Sequence, residues 1–451
     1  MVGYEQFIRR ILREMKDKTQ LVVRYHERTK HHPNRYARSP GFLDWENEPD
    51  PFRRYEGATV LPLPLGEEDP DGDYRDLYER GKNQFQPFTL RNISKFLELS
   101  LGLSAWKSYG GAKWALRMTP SSGNLHPTEA YVILVLSESN HRGGVCHYSP
   151  FLHALELRAA FDERLWLRIK DYCGGSGFFI GLSSVYWRES WKYGERAYRY
   201  CNQDIGHAMA ALSFAGNLLG WKMTYLNSLS DQDVGTLLGF QKTDWIRYES
   251  ERPEAMFFVH DYSEINAPAD VPREIVDSFG SLSYIGEPNS LSNDHRDWEV
   301  IEEVSSAAEK ERSQVAKYRY REYPFPEEEV PSKQAASVIR QRRSALAFDA
   351  RTALPKENFL AMLDKTLPRD NAAPFDLGLG ETSVDLLIFV HRVSGLEQGL
   401  YFFLREESHL GEIRRRCRQD FLWEKGDGKS GSVGLYFLKR GDFQNEGAKA
   451  G

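Results

Sequence analysis

The sequence predicts an α+β fold made of two tandem copies of one domain, the second cut short. Three observations carry that expectation. Segments of helical and of strand periodicity follow one another along the first 262 residues. A shift of 255 positions lays apolar strand residues of the second half over those of the first. A length of 451 residues is too great for one typical core and suits two.

An apolar fraction of 41% with 27% charged residues is ordinary for a globular protein. No apolar run approaches the ~20 residues needed to cross a bilayer, so no membrane partner is expected. The first residues carry Arg9, Arg10, Arg13, Glu14, Lys16 and Asp17 where a signal peptide would be apolar, and a cytoplasmic address is expected. Cys146, Cys173, Cys201 and Cys417 are scattered without a CxxC, which argues against a disulfide framework, a zinc ribbon and an iron–sulfur cluster. A net charge of −6 with dispersed basic residues gives no reason to expect nucleic acid.

Taken in order, the spacing of Phe7, Ile8, Ile11, Leu12 and Met15 predicts a helix over residues 4–23. The Pro- and aromatic-rich stretch through Trp45, Pro49, Pro51, Phe52 and Tyr55 to Leu61-Pro62-Leu63-Pro64 cannot be helical and is expected to wrap the first domain as an extended arm. His26, His31 and His32 have no acidic or Cys ligand at a recognisable spacing, so no metal is expected. A helix at 89–101, strands at 131–136 and 145–148, and a helix around 155–167 follow. A Gly-rich turn at 174–177 leads to a strand at 178–187, a long apolar helix at 204–219 capped by Gly220, and a closing strand at 256–259. Residues 263–335 change character: Pro268, Pro272 and Pro288 precede a charged helix at 294–318 and a Pro/Glu run at 323–331, which reads as a linker. The expected divisions are therefore 1–70, 71–262, 263–335 and 336–451.

Within the first domain one stretch stands out. Pro120, Ser121, Ser122, Gly123 and Asn124, followed by Leu125-His126-Pro127-Thr128-Glu129, place two hydroxyls, an unhindered Gly and a side-chain amide directly before a strand rich in β-branched residues. Alone, the run reads equally as a Ser/Gly/Asn turn ahead of a buried strand. Its wording, PSSGNLHPTEAYVIL, resembles the flavin-contacting loop and following strand of the nitroreductase superfamily, in particular its thiazole/oxazole dehydrogenase (SagB-type) branch. The runs Trp191-Lys192-Tyr193-Gly194-Glu195-Arg196-Ala197-Tyr198-Arg199-Tyr200 and Asn202-Gln203-Asp204-Ile205-Gly206-His207-Ala208 are similar to the same branch. The resemblance covers residues 75–262 well and the region after 335 in part. It implies a nitroreductase-like fold and an FMN-dependent oxidoreductase, with Pro120, Ser121, Ser122, Gly123 and Asn124 at the flavin.

The repeat gives this resemblance a particular form. Ile133, Leu134, Val135 and Gly144 fall over Ile388, Phe389, Val390 and Gly399, with Tyr148 over Phe403. The family is normally a homodimer in which one subunit supplies the Ser-Ser-x-Asn loop and the other an Arg-x-Ser segment for the FMN phosphate. Arg342 and Ser344 match that segment, and a guanidinium beside a hydroxyl suits a phosphate monoester. The equivalent place in the first half, Glu79-Arg80-Gly81, lacks the pattern, and the second half lacks both loop serines and the Asn. A pseudo-dimeric monomer with one composite FMN site is thus expected, a higher oligomer being left open. Two departures stand against a full site: Leu346 replaces a second phosphate cation, and the copy ends at Gly451, equivalent to position 196, without a counterpart of the long helix.

In the dehydrogenase branch a Lys-Tyr pair beside the flavin removes a proton while hydride leaves to N5, and Lys192 and Tyr193 match that pair. A Lys acts as a base only where burial or a neighbouring cation lowers its pKa. Asp204 and His207 read as helix packing and site lining. The implied substrates are a heterocycle-bearing peptide, or a small nitro or quinone acceptor reduced at the expense of NAD(P)H. No GxGxxG follows a strand, so the nicotinamide would be a transient visitor. The competing expectation is a catalytically degenerate flavin-binding or interaction protein.

Overall fold

The computed structural model describes residues 2–32, 34–66, 68–137, 142–173, 176–261, 270–316, 318–320, 323, 333–426 and 434–450. Gly174, Gly175, Pro268 and the run 324–331 lie outside them. The chain forms two units, one of residues 1–30, 36–316 and 332–343, the other of residues 31–35, 317–331 and 344–451.

In the first unit, helix α1 (Val2–Thr29) runs past the predicted end at residue 23. No Gly or Pro interrupts it there, and Tyr25 is buried with its hydroxyl donating to the Glu195 carbonyl at 2.7 Å. The arm then contributes two strands, β1 (Tyr55–Glu56) and β2 (Thr59–Pro62), instead of lying outside the sheet. Helix α2 (Leu90–Leu101), N-capped by the Thr89 hydroxyl, leads to the hairpin β3 (Leu103–Tyr109) and β4 (Ala112–Arg117). Strands β5 (Thr128–Ser137), β6 (Arg142–Ser149) and β7 (Ala154–Phe161) follow, then helix α3 (Glu163–Cys173) and strand β8 (Gly177–Val185). Helix α4 (Tyr186–Tyr193) is joined by a tight turn to the long α5 (Ala197–Leu218), and β9 (Trp221–Tyr225), α6 (Asp231–Leu238) and β10 (Glu251–Asp261) complete the central part.

The sheet is antiparallel throughout, in the order β2-β7-β6-β5-β8-β10-β9. Alternate residues serve its two faces. Tyr131, Ile133, Phe179 and Phe258 join the core formed with α3, α6 and helix α7 (Arg273–Gly280). Phe178, from the opposite face, meets Phe96 of α2 and Trp221 at ring distances of 5.8 and 5.7 Å.

Several local expectations change. Residues 155–161 form a strand, not a helix. Leu, Ala, Glu and Arg favour helices in isolation, but pairing with both β2 and β6 overrides that preference. The strand expected over 178–187 stops at Val185, and the helix expected from 204 already begins at Ala197. The segment at 256–259 is interior to the sheet, with β9 at the edge. Gly220 has φ of +68° directly after the end of α5, as a helix-stopping Gly should.

Residues 270–316 of the expected linker belong to the first unit. Strand β11 (Glu287–Pro288) pairs with β1, and the predicted charged helix is confined to α8 (Glu299–Ala308). Beyond it Lys310 donates its backbone N–H to Asp231 at 3.0 Å, and Arg312 pairs with Asp233 at 2.9 Å and Asp270 at 3.1 Å. These side chains at the acidic start of α6 hold residues 309–316 extended. Helix α9 (Ala335–Gln341) also returns to this unit, where Ala335 N–H donates to the Gly72 carbonyl at 2.9 Å.

The second unit contains a parallel pair of short strands, β12 (Leu354–Pro355) and β14 (Val393–Ser394), helix α10 (Lys356–Asp364) and strand β13 (Leu386–Val390). Strand β15 (Gly399–Leu404), helix α11 (Leu410–Arg416), strands β16 (Glu424–Lys425) and β17 (Gly434–Arg440), and helix α12 (Gln444–Ala450) follow. The sheet order is β13-β15-β17-β16. Tyr401, Phe403, Leu435 and Phe437 pack on one face with Leu363 of α10, while Leu400, Leu404, Tyr436 and Leu438 pack on the other.

The two segments aligned by the 255-residue shift each hold an antiparallel strand pair, in different registers. Leu134 pairs with Gly144 in the first unit, whereas Val390, not Phe389, pairs with Gly399 in the second. Past the hairpin the topology departs. Strand β17 stands at the sequence position of β8 yet pairs with β15, the counterpart of β6, and α11 occupies the sequence position of β7.

Candidate active site

Strand β4 delivers the chain through Thr119 and Pro120 into the loop ahead of β5. Gly123, Asn124 and His126 all have positive φ, at 61°, 62° and 52°. Such a run is unfavourable unless surrounding contacts impose it. They do. The buried Asp204 carboxylate on α5 accepts the Ser122 backbone N–H at 3.0 Å and the Ser122 hydroxyl at 2.9 Å. The Ser121 hydroxyl oxygen accepts the His126 N–H at 2.9 Å, and the Asn124 amide donates to the Ala115 carbonyl at 3.0 Å. Burial holds the Asp204 carboxyl above the usual carboxylate range, against the pull of hydrogen bonds from Ser121 and Ser122.

Helix α4 faces the same loop. A Cβ built on Gly123 would lie 2.6 Å from the Tyr193 hydroxyl and 3.0 Å from Lys192 Nζ. Only a Gly fits beneath that pair, for reasons of space as well as of φ. Lys192 Nζ donates to the Gly123 carbonyl at 3.4 Å, a long contact, and lies 5.5 Å from the Tyr193 ring. Burial, with Glu189 next, pushes the Tyr193 hydroxyl up to about 12. The rest of the motif is structural. The Trp191 indole N–H donates to the Asp44 carbonyl at 2.9 Å, and the buried Glu195 receives Arg28 and Arg38, fastening helix α1 and the arm.

Arg342 also arrives here. Arg340 is anchored by Asp69 at 2.7 Å and Glu98 at 2.6 Å, and two residues on the Arg342 Nε donates to the Met118 carbonyl at 3.3 Å, just before the loop. Burial, then the neighbouring Arg343, lowers the Arg342 pKa. Ser344 is exposed and falls in the second unit. The structure thus brings together Pro120, Ser121, Ser122, Gly123, Asn124, Lys192 and Tyr193, with Arg342 hydrogen-bonded just ahead of the loop, all within the first unit, whereas Ser344 belongs to the second.

A cavity of about 380 Å³, measured with its open mouth, lies against the loop, lined among others by Arg117, Ser121, His126, Tyr148 and Asp204. His126 Nε2 and Arg117 Nε are buried without a partner among the described residues. Burial drives the His126 pKa well below its ordinary value, so the ring is neutral, and lowers that of Arg117 to about 10. Neither residue was singled out from the sequence, where a lone His and a strand-end Arg carry no pattern. Asp204 was read as helix packing and site lining, and it does line the cavity, but its grip on the loop needed the fold to be seen. Among the described residues no cluster of His, Cys, Asp and Glu could hold a metal ion, and no helix is long and apolar enough to cross a membrane.

Residues 89–248 match the family model described as "Nitroreductase family". That stretch is similar to a nitroreductase family domain. It spans α2, the loop, both halves of the Lys192–Tyr193 corner and α5, so the arrangement just described lies within it, except for Arg342. A curated relative named "Putative nitroreductase" from Methanocaldococcus jannaschii is 23% identical over 162 residues, 34% of this chain and 75% of that protein. Among solved structures, a "putative nitroreductase" from Anabaena variabilis superposes with a TM-score of 0.59 at 20% identity, covering 94% of this chain and 80% of the other, which establishes the likeness of fold. An Escherichia coli microcin synthetase complex aligns with 47% of this chain and 77% of the matched chain at 19% identity, and its TM-score of 0.30 carries no argument.

Proposed function

We propose that the protein is an FMN-dependent oxidoreductase of the SagB-type dehydrogenase branch. The observation that carries this reading is the seating of Lys192 and Tyr193 on Gly123 of the loop. The residues present fit the cofactor. The unpartnered Nε of Arg117 belongs to the lining of a cavity beside the loop, and the Arg342 guanidinium near Met118 is a cation suited to a ligand's anionic phosphate.

In this reading the loop of Ser121, Ser122, Gly123 and Asn124 faces the ring system, and Arg342 takes the phosphate. Bound FMN supplies hydride transfer at N5. The chain's own residues place and protonate. Asp204 fixes the loop through Ser122, Tyr193 lies against it as a neutral phenol, and Lys192 exchanges a proton with the substrate beside Gly123. The substrate is either a heterocycle-bearing peptide that is oxidised or a small nitro or quinone acceptor that is reduced with NAD(P)H as a transient donor.

The test is the purified protein's absorbance in the flavin bands, with the released cofactor identified. Bound FMN and turnover of an azoline peptide, or NAD(P)H oxidation with a nitro or quinone acceptor, would support the reading and choose its direction. A colourless protein that takes up no FMN would instead leave an interaction protein.

A further inference from the structure

Glu189 sits in the middle of α4, three residues before Lys192 and four before Tyr193. This spacing sets the three side chains on one side of the helix. It is 0% exposed, yet neither carboxyl oxygen has a hydrogen-bond partner among the described residues. An ionised carboxylate so placed would have lost its water and gained nothing in return, at a cost of several kcal/mol that makes it at most short-lived; the neutral acid carries a much smaller penalty.

Its neighbours make ionisation harder. From α5 it faces Asp204 and Cys201, and from its own helix Lys192 and Tyr193. The adjacent cation, Arg188, directs Nη1 to Glu129 at 2.5 Å and to the His126 carbonyl at 2.8 Å and Nε to the Asp50 carbonyl at 3.0 Å, and none of its nitrogens bonds Glu189. Burial first, and then Asp204, raise the Glu189 pKa well above the carboxylate range, with Lys192 alone acting in the opposite sense.

We propose that Glu189 is the proton store of this site, a neutral carboxylic acid behind Lys192 and Tyr193 that replenishes the proton Lys192 gives to a substrate. The inference rests on the oxidoreductase reading above and deepens it, because a protonated store suits reduction of an acceptor. NAD(P)H is the electron source, FMN when bound would supply the hydride chemistry toward the acceptor, and an N–H of the Lys192 ammonium would supply the accompanying proton. The Glu189 O–H proton then restores Lys192, and the Glu189 carboxylate is reprotonated from solvent. Glu189 acts through Lys192 and is a positioning and proton-supplying residue.

The experiment compares wild type, Glu189→Gln and Glu189→Asp, each with its FMN content measured. Gln reproduces the size and neutrality of the protonated acid, so folding and FMN content should hold, and Asp keeps a carboxyl should Gln disturb the helix. The first readout is the infrared carbonyl band of protonated carboxyl groups, recorded well above the value of about 7 expected for Glu254, the other buried raised Glu. A band that vanishes in Glu189→Gln is expected. The second readout is NAD(P)H-dependent reduction of a nitro or quinone acceptor against pH. Turnover about tenfold or more lower in Glu189→Gln, partly rescued in Glu189→Asp, is expected. A flavin-loaded protein without the band, or with unchanged rate and pH profile in Glu189→Gln, would overturn the Glu189 assignment alone. Protein that binds no FMN while keeping the band would overturn the oxidoreductase reading and the supply role with it.

Discussion

The Asp204 carboxylate accepts both the backbone N–H and the hydroxyl of Ser122, so one buried acid on α5 sets the shape of the loop from below. Asp204→Ala removes both acceptors and leaves the Ser122 N–H without a partner. Each lost bond is worth about 1 kcal/mol, more where a buried donor is stranded. A fall in stability of roughly 1–3 kcal/mol is expected in denaturant titration, with FMN affinity reduced in parallel. Unaltered loop dynamics and affinity would mean that the grip is incidental.

Gly123→Ala meets two obstacles, a φ of +61° and a hydroxyl 2.6 Å from the new Cβ. The strain should cost on the order of 1–3 kcal/mol and displace Tyr193 or the loop. Tyr193→Phe in the same background removes the nearest atom, and it should recover part of the loss in thermal melting.

For Arg342 the prediction concerns affinity. Arg342→Ala and Asn124→Ala should each weaken FMN by roughly 1–3 kcal/mol, a factor of about five to more than a hundred in Kd. Arg80→Ala should change little in the same titration. Dependence on Arg80 but not on Arg342 would show that the phosphate lies elsewhere.

Lys192→Ala should leave FMN content near wild type and lower turnover by about a hundredfold, the usual scale for a lost proton-transfer group. Loss of the flavin itself would reassign Lys192 to binding.

Stability should also respond to pH through His147. The buried ring lies 3.0 Å from Glu129 and 2.8 Å from Glu156, and although burial opposes its charge those carboxylates raise its pKa to about 9. The charged form is therefore favoured in the folded state. Its contribution is fully present below the ordinary His value near 6.5 and is lost as pH rises through about 9. The thermal midpoint of wild type should fall across that window by an amount reflecting a few kcal/mol. His147→Gln should start lower and follow a flatter curve.

What the sequence made legible was mostly what local pattern controls. The strand at 131–136, the helix at 89–101 and the Gly220 stop follow from periodicity and backbone preference, and the loop and the Lys192–Tyr193 pair from their wording. Long-range competition hid the rest. Residues 155–161 favour a helix until two strands claim them, and 309–316 continue a helical pattern until Asp231, Asp233 and Asp270 capture Lys310 and Arg312. The site's buried groups were hidden for a similar reason. Nothing in the letters around Glu189, Arg117 or His126 tells that the Glu189 carboxyl, Arg117 Nε and His126 Nε2 will each lose water without gaining a partner among the described residues.

The return of residues 332–343 to the first unit has a practical consequence for anyone dissecting the chain. That segment is riveted by the Asp73 and Gln334 bridge, by the buried Ala335 and Ala336, and by Arg340 between Asp69 and Glu98. A chain nicked by a protease anywhere between 317 and 331 would separate into two pieces on a denaturing gel yet migrate as one body on a sizing column. A recombinant first half ending before 332 would lack Arg342 and leave Asp69 and Glu98 without their guanidinium. Such a fragment would be a poor stand-in for the native site, however well its sheet folded.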